Sequence, residues 1–146
     1  MKADSKTEDE VISVLKRFAR AYEERNLNDV MELFVSDPDV MIIGTGADEK
    51  RIGLDEIKAQ IERDWDQSDA SSFRFDWTSV SKVGSAVVVA ADATIQGKVS
   101  GKEFELPGRL TAALDRRGNR WLFCQIHFSA PMAGQVEGES WPTELT

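Results

Sequence analysis

One imidazole and one thiol stand three positions apart in the segment WLFCQIHFSAP, residues 121–131, and the chain has no other of either. An imidazole titrates near neutral pH and serves as a general base, and a thiolate is a nucleophile. A nucleophilic triad would pair His127 with Cys124 or Ser129. In an extended strand side chains alternate, so Cys124 points away from His127, and Ser129 lies about 7 Å along the same face, beyond direct proton transfer. Zinc needs several His or Cys ligands, and one of each on opposite faces does not supply them. The acidic residues show no EF-hand spacing, so neither a metal nor a cofactor is expected. GTG at 44–46 lacks the further glycines, lysine and following helix of a phosphate loop, and Asp48 and Glu49 beside it repel phosphate; it reads as a turn.

The same alternation sorts the last strand into Trp121, Phe123, Gln125, His127 and Ser129 on one face and Leu122, Cys124, Ile126 and Phe128 on the other. The strand before it gives Arg109, Thr111 and Ala113 against Leu110, Ala112 and Leu114. With Arg109 and His127 on a shared concave face, a cation and an imidazole stand above a floor of Trp77, Phe123 and Trp121. Trp65 and Tyr22 close the space from the helical side. Apolar walls with a few polar groups characterise small-molecule sites. The expected ligand is a small, partly apolar organic acid or ketone, held by Arg109 and His127. The plainer alternative leaves His127 hydrogen-bonded in the core and Arg109 paired with Asp64 or Asp92. For turnover, the candidate catalytic residue is His127 as general base, oriented by Asp64 or Asp92.

The elements that position these residues follow from periodicity. Residues 1–7 read as disordered, and Thr7 with Glu10 has capping-box spacing. Val11, Val14, Leu15, Phe18, Ala21 and Tyr22 then recur at helical spacing with charges opposite. Asn26 ends that helix and Asn28 caps a second, carrying Val30, Met31, Leu33 and Phe34, which stops at the SDPD segment 36–39 because Pro38 disfavours helix before it. A short hairpin follows, from residues 40–43 through GTGADEK to Arg51 and Ile52. Gly53 opens a third helix with Leu54, Ile57, Ile61 and Trp65 buried. Four long strands complete the chain: one containing FRFDW at 73–77, one over SAVVVAADATIQG, one at 102–114, and one at 120–128 joined through the DRRGN turn. This order predicts an α+β domain, with three helices against a curved antiparallel sheet.

At 146 residues and 41% apolar content the chain suits one core. Its 18 basic and 26 acidic side chains give a net charge of -8, which repels nucleic acid and anionic membranes. The amino terminus lacks a signal-peptide apolar run, and no stretch approaches the ~20 apolar residues of a spanning helix. With the lone Cys124 inside an apolar run, a reducing cytoplasm is the expected compartment.

Three segments, FARAYEERNLNDVMELF, GTGADEKRIGLDEIKAQIERDW and GRLTAALDRRGNRWLFCQIHFSAP, together resemble the SnoaL-like branch of the nuclear transport factor 2-like superfamily. Ketosteroid isomerase homologues and the association domain of calmodulin-dependent kinase belong nearby. The likeness spans about residues 8–131, leaving 132–146 as a tail whose Trp141 should find a groove on its own or a neighbouring subunit. The resemblance implies a cone-shaped sheet of the cystatin-like kind wrapped around three helices, a pocket at the open end, and commonly a homodimer with strands packed face to face. It also implies an Arg and a His lining the cavity at positions 109 and 127. It does not imply one activity. Where ketosteroid isomerases carry a catalytic tyrosine this chain has Phe18, with Tyr22 one turn on. Their base position falls at or next to Ile42, and VMIIG contains no acid. The remaining alternatives are an assembly module like the kinase association domain, or an isomerase- or dehydratase-type enzyme using His127.

Overall fold

A computed structural model describes residues 1–143. Its elements are α1 (Ser5–Glu23), α2 (Leu27–Met31), β1 (Met41–Ile43), β2 (Lys50–Ile52), α3 (Leu54–Asp66), β3 (Ala70–Val83), β4 (Ala86–Val99), β5 (Lys102–Arg117) and β6 (Arg120–Ser129). The α+β order matches the sequence expectation. The strands form one curved six-stranded sheet in the order β2-β1-β6-β5-β4-β3, antiparallel throughout except for the parallel β1–β6 pair. The helices lie in its hollow, and among the described residues no helix is long and apolar enough to cross a membrane.

Helix α1 starts earlier than its capping-box signal suggested. Asp4, not Thr7, is the N-cap and accepts from the Thr7 amide at 2.8 Å. Before it, Lys2 bridges to Ser81, and the amide of the buried Ala3 donates to the Val80 carbonyl at 3.0 Å. Those few residues run as an edge partner of β3, whose unpaired backbone groups supply the bonds. Between α1 and α2 the left-handed residue is Arg25 (φ 56°), and Asn26 caps α2 through the Asp29 amide at 3.1 Å. The Asn28 cap is therefore displaced by two residues, and α2 is short.

The core lies between the buried stripe of α1 and the concave sheet face. Phe18 sits at its centre, with ring centroids 5.6 Å from Phe73, 5.8 Å from Phe123 and 6.5 Å from Phe34. Gly108 on β5 faces the same way. A Cβ there would stand 2.5 Å from both the Phe128 ring and the Ser129 carbonyl oxygen, so the absent side chain is what lets Phe128 lie flat on the sheet. The tail turns back on itself, with the Thr143 amide donating to Gly134 at 3.1 Å. Trp141, expected in a groove, is 78% exposed on this chain.

Two β-bulges break the alternation on which the sequence reading relied. In the β5–β6 ladder Ala113 pairs with Gln125 but Leu114 pairs with Phe123, leaving Cys124 as an inserted residue. In the β3–β4 ladder the register shifts between Phe75 and Thr78. Each bulge reverses which parity faces the core beyond it.

Two substitutions test this packing by chemical denaturation. Phe123→Ala empties the centre of the aromatic cluster and should cost about 3–5 kcal/mol. Gly108→Ala overpacks the wall and should cost about 1–3 kcal/mol, with Phe128 displaced.

Candidate functional site

Helix α1 covers only part of the hollow, and a cavity of about 300 Å³ remains between α1, α3 and the sheet. Phe18, Phe34, Phe73, Leu110, Ile126 and Phe128 supply much of its apolar wall. At the side formed by α3 the wall becomes polar, with Tyr22, Glu49, Gln60, Asp64 and Ser71. That size and mixture match small-molecule sites.

The polar side is a connected chain of hydrogen bonds. The Tyr22 hydroxyl donates to Asp64 Oδ2 at 3.0 Å, and Gln60 Nε2 donates to Asp64 Oδ1 at 2.7 Å and to Glu49 Oε1 at 3.3 Å. Arg51 Nε donates to Gln60 Oε1 at 2.9 Å, fixing which way the amide points. Arg63 binds Asp48 at 2.7 Å and Glu49 at 3.2 Å, so both arginines of this region are engaged outside the chamber. Arg25 holds the end of α3: its guanidinium donates to the Trp65 carbonyl at 2.7 Å and the Ser68 carbonyl at 2.9 Å. These bonds reinforce the C-terminal end of α3, where the Trp65 carbonyl also accepts from the Ser68 amide at 3.4 Å.

Burial dominates the titration of both acids. Desolvation pushes the Asp64 carboxyl above the ordinary carboxylate range, although the donors Gln60 and Tyr22 pull the other way. The Tyr22 phenol is pushed up, first by burial and then by the Asp64 charge, so it stays a donor at neutral pH. Burial also raises the Cys124 thiol, which disfavours a nucleophilic thiolate there.

The residues singled out from sequence divide between two faces. Tyr22 lines the cavity, and Trp65, 9% exposed, packs behind it with ring centroids 5.7 Å apart. Phe123 is fully buried beneath the cavity rather than on its surface. Arg109 and His127 do share a face, but it is the convex one, and both are exposed. Arg109 Nε approaches Ser129 Oγ at 3.4 Å on that side. Strict alternation from the buried Phe123 placed His127 inside, whereas the inserted Cys124 puts Ile126 and Phe128 inside and His127 out. Trp77 is corrected for the same reason: the β3 bulge turns it outward, 56% exposed. Asp92, opposite Arg109, is also on the convex side, which leaves Asp64 as the candidate carboxylate that reaches the cavity.

Gln60 and Ser71 were missed. Gln60 lies beside the stripe Ile57, Ile61 and Trp65 and one turn before Asp64, so a helical wheel places it at the stripe's edge. Ser71 shares the parity of Phe73 and Phe75 on the unbulged part of β3, which was a usable signal. Among the described residues no group of three His, Cys, Asp or Glu side chains gathers to hold a metal.

Comparison with known proteins gives a family match to the SnoaL-like domain over residues 11–133. A nuclear transport factor 2-like superfamily protein from Salmonella enterica subsp. enterica serovar Typhimurium str. LT2 superposes with a TM-score of 0.82 at 16% identity, covering 95% of this chain and 100% of the other. A candidate dehydratase of the same superfamily from Streptomyces avermitilis gives 0.77 at 16%, covering 86% and 97%. A candidate calcium/calmodulin dependent protein kinase II association domain from Xanthomonas campestris gives 0.75 at 21%, covering 85% and 87%. These identities carry likeness of fold alone. No curated protein matches the sequence.

The raised Asp64 carboxyl has a measurable consequence. In the folded chain it keeps its proton at pH values where the unfolded chain has already lost it. Its contribution therefore falls as pH rises from the ordinary carboxylate range through its own raised value. Asp64→Asn should gain stability relative to the parent across that window, seen as the difference between the two Tm-versus-pH curves. A constant difference would place Asp64 in contact with water.

Proposed function

Since this chain belongs to the SnoaL-like domain family, a fold that does not dictate one activity, we propose from its cavity that it binds a small, uncharged, largely apolar organic molecule. The observation that carries this reading is an apolar chamber converging on one hydrogen-bonded cluster, Tyr22, Gln60 and Asp64. Apolar contact would supply affinity, and the cluster would orient the ligand. The sequence expectation of an organic acid rested on Arg109 inside the chamber. With Arg109 outside, and Glu49 and Asp64 among the lining residues, a carboxylate would meet like charge in a medium of low dielectric. A ketone remains compatible.

A second reading, turnover by proton transfer, is favoured by one feature: Asp64 is a carboxyl raised by burial above the ordinary carboxylate range and hydrogen-bonded by a phenol. Carboxyls raised by burial are suited to general acid or base work near neutral pH. In that reading Asp64 takes the role first given to His127, which faces away from the cavity.

The convex face supports homodimer formation as part of the proposal. Its middle is a shallow concavity lined by small and apolar side chains, including Ser79, Val88, Ala90, Thr111, Ala113 and Gln125. Val88 is left exposed there, and such surface is commonly covered by a partner. This is also the face an assembly module would use.

Both parts are testable. A calorimetric screen of neutral ring compounds should yield a ligand that stabilises the protein by about 2.7 kcal/mol at a hundredfold excess over Kd. Leu106→Trp, which fills the chamber, should abolish that binding while leaving the circular dichroism unchanged; unaltered affinity would overturn the cavity reading. On the other face, Ala113→Arg should convert a dimer to a monomer by light scattering, and a parent protein that is already monomeric would remove the association.

A further inference from the structure

Phe104 on β5 belongs to two spaces. It lines the chamber, and it also lines an outer groove of about 650 Å³ whose other walls include Glu23, Ser72, Gln96, Lys98, Glu103 and Glu105. Ser71 is the other residue common to both, but it is buried against the Tyr22 hydroxyl and forms part of the fixed wall. Phe104 is 39% exposed. Its ring rests on bare backbone: Ser71, Gly97 and Phe104 stand opposite one another on β3, β4 and β5, and a Cβ on Gly97 would come within 2.8 Å of two ring carbons. Glycine at that position is what lets the phenyl lie down there. The frame around the ring is tied. The Asp69 amide donates to the Lys98 carbonyl at 2.7 Å, the Gly101 amide donates to Asp69 Oδ2 at 2.9 Å, and Arg25 holds the Ser68 carbonyl. A partly exposed ring turns about its own side-chain bonds while such a frame stays in place.

Resting on the reading of the chamber as a site for an uncharged, largely apolar molecule, we propose that Phe104 sets the length of ligand it takes, the ring ending the apolar space where the groove begins. A carbon chain gains about fourfold in affinity for each methylene it withdraws from water, until it meets that ring. Methylenes beyond it reach a groove walled by Lys98, Glu103 and Glu105 and gain little. The ligand class is therefore a short skeleton that ends beneath Phe104, rather than a long alkyl or acyl chain.

The 1-alkanols from butanol to decanol are uncharged probes that differ only in length. Calorimetry on the intact chain gives Kd for each, and the amide chemical shifts of Leu110 and Phe104 locate them. In the parent, affinity should rise about fourfold per methylene and then level off. Phe104→Ala should move the levelling to a longer chain, because the space of the ring becomes available, and Phe104→Tyr, which keeps a ring, should leave it where it is. Damage to the fold would weaken every alkanol together without moving the break, so a uniform drop in Phe104→Ala counts against the role. A break at the same length in the parent and in Phe104→Ala overturns it while the chamber stands, as does a parent series that rises without a break to decanol. If no alkanol shifts Leu110, the binding reading falls and this inference falls with it.

Discussion

Everything in this molecule depends on seating one helix in the hollow of a sheet that is wider than the helix. Phe18 makes the seat, touching rings from β3, β6 and the segment after α2. One turn later the same stripe reaches Tyr22, and there the apolar filling gives way to polar partners. A phenol buried at that level must donate to something, and Asp64 on α3 is the acceptor. Carboxylate and phenol together resist being covered by purely apolar side chains, since burial without partners costs several times what a net hydrogen bond contributes. The end of the hollow is therefore held open by groups that are satisfied where they stand.

Helix α3 has to be fixed for this to work, and the fixing is polar as well. Arg25, in a left-handed backbone conformation at the corner after α1, clamps the last carbonyls of α3. The guanidinium fork joins the two helices at the level of Tyr22 and Trp65, so the Tyr22–Asp64 distance is set from both sides. Arg51 and Arg63 act similarly on the far side, holding Gln60 and Glu49. These arginines brace the chamber's walls from outside and leave its lining acidic rather than basic.

The sheet keeps its two faces chemically separate, and the bulges do the sorting. At Cys124 one inserted residue lets Phe123, Ile126 and Phe128 all turn inward, giving the concave face more aromatic cover than alternation would supply. The residues displaced outward, Gln125 and His127, join Arg109 and Thr111 on the convex face. The two surfaces can thus be varied independently, because no side chain of a strand serves both faces.

The amino-acid sequence alone determined the element order, the buried stripe of each long helix, the short hairpin and the membership of Tyr22 and Trp65 in the helical wall. All of these follow from periodicity and from local stops such as Pro38. It also carried the family resemblance and the absence of an acid from VMIIG. Only the tertiary structure decided which face His127, Arg109 and Trp77 would occupy. An inserted residue in a ladder is defined by the partner strand, and nothing in FRFDW or WLFCQIH distinguishes a bulged residue from a paired one. The meeting of Tyr22 with Asp64, 42 positions apart, belongs to the same class. Periodicity says that a side chain points inward, whereas what it meets there depends on how far one element slides along another, and that is settled by packing.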